Sequence, residues 1–502
     1  MELLKTLEEF ASSNAIAYIH NGETLSYQDL LQKANRLAHY LQSELKDDKT
    51  PIPVYGHKDP LMLICFLACV KSGRAYCPID AGIPKNRIEA ILETVQSAIV
   101  LSSEELDVAQ NGIVDKTKLY EIIDTHTEEI DSSYALTSED IFYIIFTSGS
   151  TGIPKGVQIS YANLNHFLEW SIPLANAQSK AKVFINQAPF SFDLSVMDLY
   201  TSLGSGGTLF TLDKELQKDY HTLFEALASS KANVWVSTPS FADMCLVDKS
   251  FCEDMMPDME TFLFCGEVLT NETARKLLQR FPNAKVINTY GPTESTVAIS
   301  DVVITEEIIE NSNPLPIGVQ KPGTWLQIID EQGNCLPDME KGEIIIVGNT
   351  VGKGYFHNPE QTKKAFFTRV IDGVEMPAYH TGDKGYLEDG MLYYCGRMDL
   401  QVKLNGYRIE ICDIEQNLMK VDGVENALVI PNYKEGKIKN LIGYIVYQGD
   451  TSQRFQLGQS ISASLKQFVP DYMVPKKYVF IDEMPMTNNG KADRKALQEG
   501  LS

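Results

Sequence analysis

The sequence predicts an α/β protein: a large N-terminal domain of α/β layers with a β-rich subdomain, followed by a small α+β C-terminal domain. Three changes of texture lead to this. Ahead of Pro314, short β-branched runs alternate with helix-length segments, the pattern of sheets whose strands are buried on both faces. Beyond Pro314, short strands are punctuated by Gly and Asp turns, which marks a β-rich region. Past Arg397-Met398-Asp399 come a strand, a helix, two strands and a further helix, so the border falls there, with domains at 1–398 and 399–502. A chain of 502 residues, 44% hydrophobic and 22% charged, can bury the cores of about two to four domains.

Residues 1–10 read as an acidic amphipathic helix, without the basic start and apolar middle of a secretion signal. A cytoplasmic location is the expectation. Helical spacing over 26–45 is followed by a strand at 51–55 and a helix at 61–71. The apolar run 61–70 is about half the length needed to span a bilayer and reads as a buried helix. A strand at 141–146 leads through a Gly/Ser/Thr loop into a second strand at 157–159, with a helix at 163–170 after it. Short strands recur at 183–185, 234–237, 261–264 and 286–288, then at 325–329, 343–347 and 391–394. The C-terminal stretch supplies strands at 401–404, 427–430 and 441–446 and helices at 411–420 and 458–468.

A net charge of −23 repels phosphate backbones and anionic lipid, which argues against nucleic-acid or membrane-surface binding. Any anionic ligand therefore needs a local device. The nine cysteines contain no Cys-x-x-Cys pair, so neither a disulfide framework nor a zinc cluster is suggested.

One local device is evident. Thr147-Ser148-Gly149-Ser150-Thr151-Gly152-Ile153-Pro154-Lys155-Gly156 offers glycines that let backbone N–H groups face an anion, hydroxyls that donate to it, and a cation. Gly/Ser/Thr clusters are also common linkers, but hydrophobic strands on either side favour a phosphate loop. The P-loop pattern requires a lysine followed by Ser or Thr opening a helix; here Lys155 precedes a glycine and a strand.

Further motifs follow in order: Asn288-Thr289-Tyr290-Gly291-Pro292-Thr293-Glu294, Tyr379-His380-Thr381-Gly382-Asp383, the run from Gly396-Arg397-Met398-Asp399 to Asn405-Gly406-Tyr407-Arg408-Ile409-Glu410, and Asn488-Asn489-Gly490-Lys491. With the loop, they make nearly the whole chain resemble the adenylate-forming superfamily of acyl-CoA synthetases, firefly-type luciferases and peptide-synthetase adenylation domains. The resemblance implies attack of a carboxylate on the α-phosphorus of ATP with departure of magnesium pyrophosphate. Lys491 would be the catalytic lysine, contacting the carboxylate and α-phosphate in a transition state that needs positive charge. The ATP-binding set would be Thr147, Ser148, Gly149, Ser150, Thr151, Gly152, Lys155, Asn288, Thr289, Tyr290, Gly291, Pro292, Thr293, Glu294, Asp383, Arg397 and Lys491. Within it, Asp383 would accept both ribose hydroxyls, Arg397 would support the ribose and phosphates, Tyr290 would lie against adenine, Thr151 and Thr293 would contact phosphate, and Glu294 would help hold Mg²⁺. Asp399 would be the hinge between two orientations of the small domain, one for adenylation and one for acyl transfer to a thiol.

Phe192-Asp193-Leu194-Ser195 resembles the amino-acid-activating branch, where the aspartate meets the substrate α-ammonium. A buried ammonium needs such a counter-charge, and a fatty-acid tunnel does not. The substrate wall would comprise Leu194, Met197, Leu263, Cys265, Gly266, Thr289 and Val297 beside Asp193. Cys265 would narrow it towards a small side chain such as that of alanine. The resemblance further implies D-alanine as the acid and the phosphopantetheine thiol of a small D-alanyl carrier protein as acceptor, as in teichoic-acid D-alanylation; the D preference rests on resemblance alone. Another small amino acid, a short-chain acyl-CoA synthetase, a luciferase-like enzyme and a catalytically silent nucleotide-binding module are the alternatives. Asp193 counts against the second, pocket size against the third, and joint retention of Lys491, Glu294 and Asp383 against the last.

Overall fold

A computed structural model describes residues 2–110, 112–127, 129–148, 154–178, 180–434, 437–485 and 494–499. The chain divides into two compact units. The first comprises Met1–Ala81, Thr94–Phe146 and Gly156–Met398; the second comprises Gly82–Glu93, Thr147–Lys155 and Asp399–Ser502.

The first unit is built on two α/β sheets and a smaller antiparallel one. A nine-stranded sheet runs, in spatial order, through Val319–Gln320, Ser300–Ile304, Lys285–Tyr290, Thr261–Phe264, Val234–Ser237, Val183–Asn186, Thr208–Thr211, Ile16–His20 and Glu23–Ser26. Its interior from Lys285–Tyr290 to Ile16–His20 is parallel, and both margins are antiparallel. Parallel strands are covered by helices on both faces, which is why Val234–Ser237 and Thr261–Phe264 are buried at every residue. A six-stranded sheet orders Ile113–Val114, Val100–Ser102, Ile52–Gly56, Tyr76–Asp80, Ile141–Thr147 and Lys155–Ser160.

The helices meet the expectations and extend them. Tyr27–Leu45 starts where Ser26 accepts from the Asp29 N–H, the usual role of a serine N-cap. Pro60–Lys71 is buried from Leu61 onward, so it is an all-round core helix. Tyr161–Leu174 is longer than the 163–170 segment read from the sequence, because Ser160 and Asn163 close a reciprocal cap at its N-terminus. The helix Leu194–Gly204 and the strands Ile16–His20 and Thr208–Thr211 were not expected.

After Leu315 the first unit continues as a five-stranded antiparallel sheet of Thr324–Ile329, Gly342–Gly348, Val374–Glu388, Phe366–Ile371 and Met391–Arg397. In the second unit, Gln401–Leu404 and Tyr407–Glu410 form a hairpin. Asn405 and Gly406 turn it with φ of 51° and 81°, the left-handed pair that matches strand twist. Val424–Lys434, Lys437–Tyr447 and Lys477–Phe480 make a sheet beside the helices Ile411–Leu418 and Arg454–Leu465, with a core of its own around Ile409, Ile414, Leu418, Val429 and Ile445. No helix among the described residues is long and apolar enough to cross a membrane.

Candidate active site

In an open parallel sheet, backbone carrying chemistry collects beyond the C-terminal ends of the strands. Strand Lys285–Tyr290 ends in the 288–294 motif, Thr261–Phe264 runs directly into Cys265, and Val183–Asn186 leads to Asp193 at the mouth of Leu194–Gly204.

Two residues of one motif anchor opposite parts of this region. Tyr290 donates its phenolic hydrogen to Asp383 Oδ2 at 2.6 Å. Burial, then the charge of Asp383 and the hydrogen bond to it, hold the phenol far above its ordinary pKa, so it remains a donor. Asp383 Oδ1 accepts from Arg397 Nη1 at 3.0 Å, and the same nitrogen donates to the Thr381 carbonyl at 2.8 Å. Thr381 Oγ1 accepts the Asp383 N–H at 2.9 Å. Each carboxylate oxygen still has lone-pair capacity for a further donor, so a vicinal diol could be received on a base already fixed in position. Glu343 braces the turn, accepting from the Gly382 N–H at 3.0 Å and lying 3.1 Å from His380 Nδ1.

Glu294 is completely buried, in a single helical turn Thr293–Ser295. Its Oε1 accepts from the Tyr355 hydroxyl at 2.8 Å, and its carbonyl accepts from the Gly352 N–H at 2.8 Å. The 353–356 stretch is itself hydrogen-bonded to the strand that follows the Gly/Ser/Thr segment: Lys353 N–H to the Gln158 carbonyl, Gln158 N–H to that of Gly354, and Phe356 N–H to that of Gly156. No cluster of three or more metal-ligating side chains occurs among the described residues. A hard carboxylate such as Glu294 suits Mg²⁺ that draws its other ligands from phosphate oxygens and water.

Asp193 is buried and accepts from Thr293 Oγ1 at 2.7 Å. Thr293, expected at phosphate, thus links the 288–294 motif to the carboxylate expected at the amine. Leu194, Met197, Leu263, Cys265 and Val297 all belong to one buried apolar cluster. Thr289 donates to the Phe264 carbonyl at 2.8 Å, tying neighbouring strands, and Asn288 donates to the Pro316 carbonyl at 2.8 Å.

Cys265 Sγ lies 3.7 Å from the Val297 carbonyl. Val297 follows Thr296 in the left-handed region, with φ of 69° and 57°, a conformation costly for β-branched residues and typical of over-determined sites. Gly291 lets this loop close: a Cβ there would sit 2.6 Å from Ala298 Cα and 2.7 Å from the Val297 carbonyl oxygen. Gly266 beside Cys265 has φ of 91°.

Within the second unit, Ser148 Oγ donates to the Arg408 carbonyl at 2.8 Å, Thr147 Oγ1 is 3.5 Å from the Lys155 carbonyl, and Lys155 Nζ is 4.0 Å from Glu410. Asp399 Oδ1 accepts from the Gln401 N–H at 3.0 Å. Gly149, Ser150, Thr151, Gly152 and Lys491 lie outside the described residues. Sequence reasoning missed Tyr355, which is 61 positions from Glu294. The glycines at 352 and 354 were the only local hint that this backbone packs closely against something.

Comparison with known proteins follows the same lines. Residues 7–356 match the family model described as AMP-binding enzyme, and residues 413–491 match that of the AMP-binding enzyme C-terminal domain. Proteins of Bacillus cereus (strain Q1) and Bacillus thuringiensis (strain Al Hakam), both named D-alanine–D-alanyl carrier protein ligase, are each 46% identical over 504 residues, covering 99% of this chain and 99% of theirs. Among solved structures, the Vibrio cholerae adenylation domain AlmE in complex with glycyl-adenosine-5'-phosphate is 23% identical with a TM-score of 0.81, covering 100% of this chain and 97% of that one. The o-succinylbenzoate CoA synthetase of Bacillus subtilis is 19% identical with a TM-score of 0.82, covering 98% of both. These two likenesses establish the fold.

Proposed function

Because the chain belongs to the AMP-binding enzyme family of adenylate-forming ligases, we propose that it joins D-alanine to ATP as D-alanyl-AMP, releases pyrophosphate, and passes the alanyl group to the phosphopantetheine thiol of a D-alanyl carrier protein in the cytoplasm. The activity named for the Bacillus relatives supports this. The observation that carries it in this chain is the buried Asp193 carboxylate, held by Thr293. An ammonium brought there exchanges water for a fixed counter-charge, an attraction that an acid without an ammonium does not gain.

Asp383, kept in place by Tyr290 and Arg397, receives the ribose hydroxyls, with the Tyr290 ring against adenine. The 147–155 loop and Lys155 hold the β- and γ-phosphates. Glu294 would help hold Mg²⁺, which would supply positive charge against the departing pyrophosphate. Lys491 draws the substrate carboxylate and the α-phosphate together, so the carboxylate oxygen attacks phosphorus as the bond to pyrophosphate breaks. The small domain then turns about Asp399 to admit the thiol, whose sulfur attacks the acyl carbon and displaces AMP. Cys265 stays a wall residue and takes no part in covalent chemistry.

ATP–pyrophosphate exchange across D-alanine, L-alanine, glycine and short fatty acids tests this reading. Exchange driven by D-alanine well above the others is expected. Exchange driven best by a fatty acid would replace it with the acyl-CoA synthetase reading.

A further inference from the structure

Behind Asp193 lies a group of polar side chains that adenylation does not use. Asp198, on the helix that Asp193 opens, is wholly buried. Asn186, equally buried at the end of Val183–Asn186, donates through Nδ2 to both Asp198 oxygens, at 3.0 and 3.1 Å, and to the Ala188 carbonyl at 3.1 Å. Lys58, also with no exposure, places its Nζ 3.1, 2.8 and 2.7 Å from the carbonyls of Asn186, Gln187 and Leu212.

Burial pushes the Asp198 carboxyl well up, with Lys58 and Asn186 opposing, and pulls Lys58 down to about 7 despite the charges of Asp198, Asp80 and Asp213. An apolar core would avoid the cost of enclosing such groups. What they enclose is the backbone leading to Asp193. Its start is held at Asn186 and Gln187 by Lys58. Its middle is anchored by the Phe190 ring, 5.6 Å from that of Phe66, and by a turn in which the Phe192 N–H meets the Pro189 carbonyl at 2.9 Å. Its end is held by Ser195 Oγ on the Phe192 carbonyl at 2.7 Å. The Asn186–Asp198 contact joins the start of the segment to the helix that receives its end.

We propose that Asn186 and Asp198 are positioning residues for the amino-acid substrate, clamping the intervening segment so that the Asp193 carboxylate stands where the α-ammonium docks. This rests on the amine-binding reading of Asp193. An ångström-scale displacement of a binding group is enough to cost orders of magnitude in productive geometry, and neither clamp residue touches nucleotide-binding groups in the contacts above.

The test is ATP–pyrophosphate exchange with D-alanine and ATP varied in turn, on Asn186→Ala, Asp198→Ala, Asp198→Asn, Asp193→Asn and the double variant Asp193→Asn/Asn186→Ala, with thermal unfolding of each. Asn186→Ala and Asp198→Ala are expected to raise the D-alanine KM about tenfold while the ATP KM stays within about twofold, and Asp198→Asn, which keeps the shape, to recover most of the loss. In the Asp193→Asn background, Asn186→Ala is expected to add less than about twofold, because the two act through one group. Asn186→Ala carries the test if Asp198→Ala does not fold. Parallel rises in both KM values, or a full additional penalty in the Asp193→Asn background, would overturn the proposal. A raised D-alanine KM in Asp193→Asn with none in Asn186→Ala overturns it alone; an unchanged D-alanine KM in Asp193→Asn removes the amine-binding reading and the clamp's purpose with it.

Discussion

Tyr290 and Asp383 are 93 positions apart in sequence and meet through a 2.6 Å hydrogen bond from phenol to carboxylate. The bond joins the end of a parallel strand in the nine-stranded sheet to the middle of the antiparallel strand Val374–Glu388, so the carboxylate proposed to receive ribose is oriented by the protein's own side chains. A charge-assisted hydrogen bond is worth about 1.5–3 kcal/mol. Tyr290→Phe keeps the ring and removes the donor, and it is expected to raise the ATP KM by roughly tenfold with little change in the D-alanine KM. Steady-state exchange kinetics check this; an unchanged ATP KM would mean Arg397 alone orients Asp383.

Tyr355 bears on Glu294 in the same way. Tyr355→Phe leaves the packing of the ring against Phe366, at 5.3 Å between centroids, and removes the 2.8 Å bond to Glu294. The Mg²⁺ concentration for half-maximal exchange is expected to rise by about five- to tenfold. Binding of Mn²⁺ with ATP, followed by the electron paramagnetic resonance of the metal, is expected to weaken in parallel. Unaltered metal dependence in both measurements would count against a metal-holding role for Glu294.

Cys265 borders the expected methyl site and lies near the strained Val297 carbonyl. Cys265→Ala opens space without removing a catalytic group, and discrimination for D-alanine over L-alanine is expected to fall by about tenfold while turnover with D-alanine persists, since a change of this size in a pocket is worth about 1–3 kcal/mol. Loss of all turnover in well-folded protein would instead assign Cys265 a chemical role.

Asp80 gives a prediction on stability. Burial opposes its ionisation, but hydrogen bonds and charge from His57 at 2.6 Å and Lys214 at 2.6 Å outweigh it and hold the carboxyl down at about 2. A folded pKa below the unfolded 3.8 means the contribution is present above the unfolded value and lost as pH falls through the folded one. Asp80→Asn is expected to cost roughly 2 kcal/mol at pH 7, and the gap from the parent to shrink to about half at pH 3. Urea unfolding at both pH values measures it. A gap independent of pH would assign the loss to packing.

Much of the fold was legible because burial leaves a mark on composition. Val234–Ser237, Thr261–Phe264 and Gln401–Leu404 were read to the residue, since short apolar or β-branched runs between turn signals have few other uses. Leu194–Gly204 was not, because a helix buried at every position has no polar face to reveal its period. Ile16–His20 was missed because its outer residues are only half-buried and it joins the parallel sheet through Thr208–Thr211, far along the chain. The site residues stood out as motifs, yet the bonds among them did not. No local pattern ties Asp193 to Thr293, Tyr355 to Glu294 or Asn186 to Asp198, because each pair is brought together by sheet topology.

Asp193 is the residue proposed to make this an amino-acid-activating enzyme. The direct measurement compares exchange driven by D-alanine with that driven by propionate, the same acid lacking the ammonium, in the parent enzyme and in Asp193→Asn. A paired buried charge is worth about 3–5 kcal/mol when one partner is removed. A preference for D-alanine of at least about a hundredfold is therefore expected in the parent, collapsing to within about tenfold in the variant. Equal use of propionate by the parent, or an undiminished preference in Asp193→Asn, would contradict it.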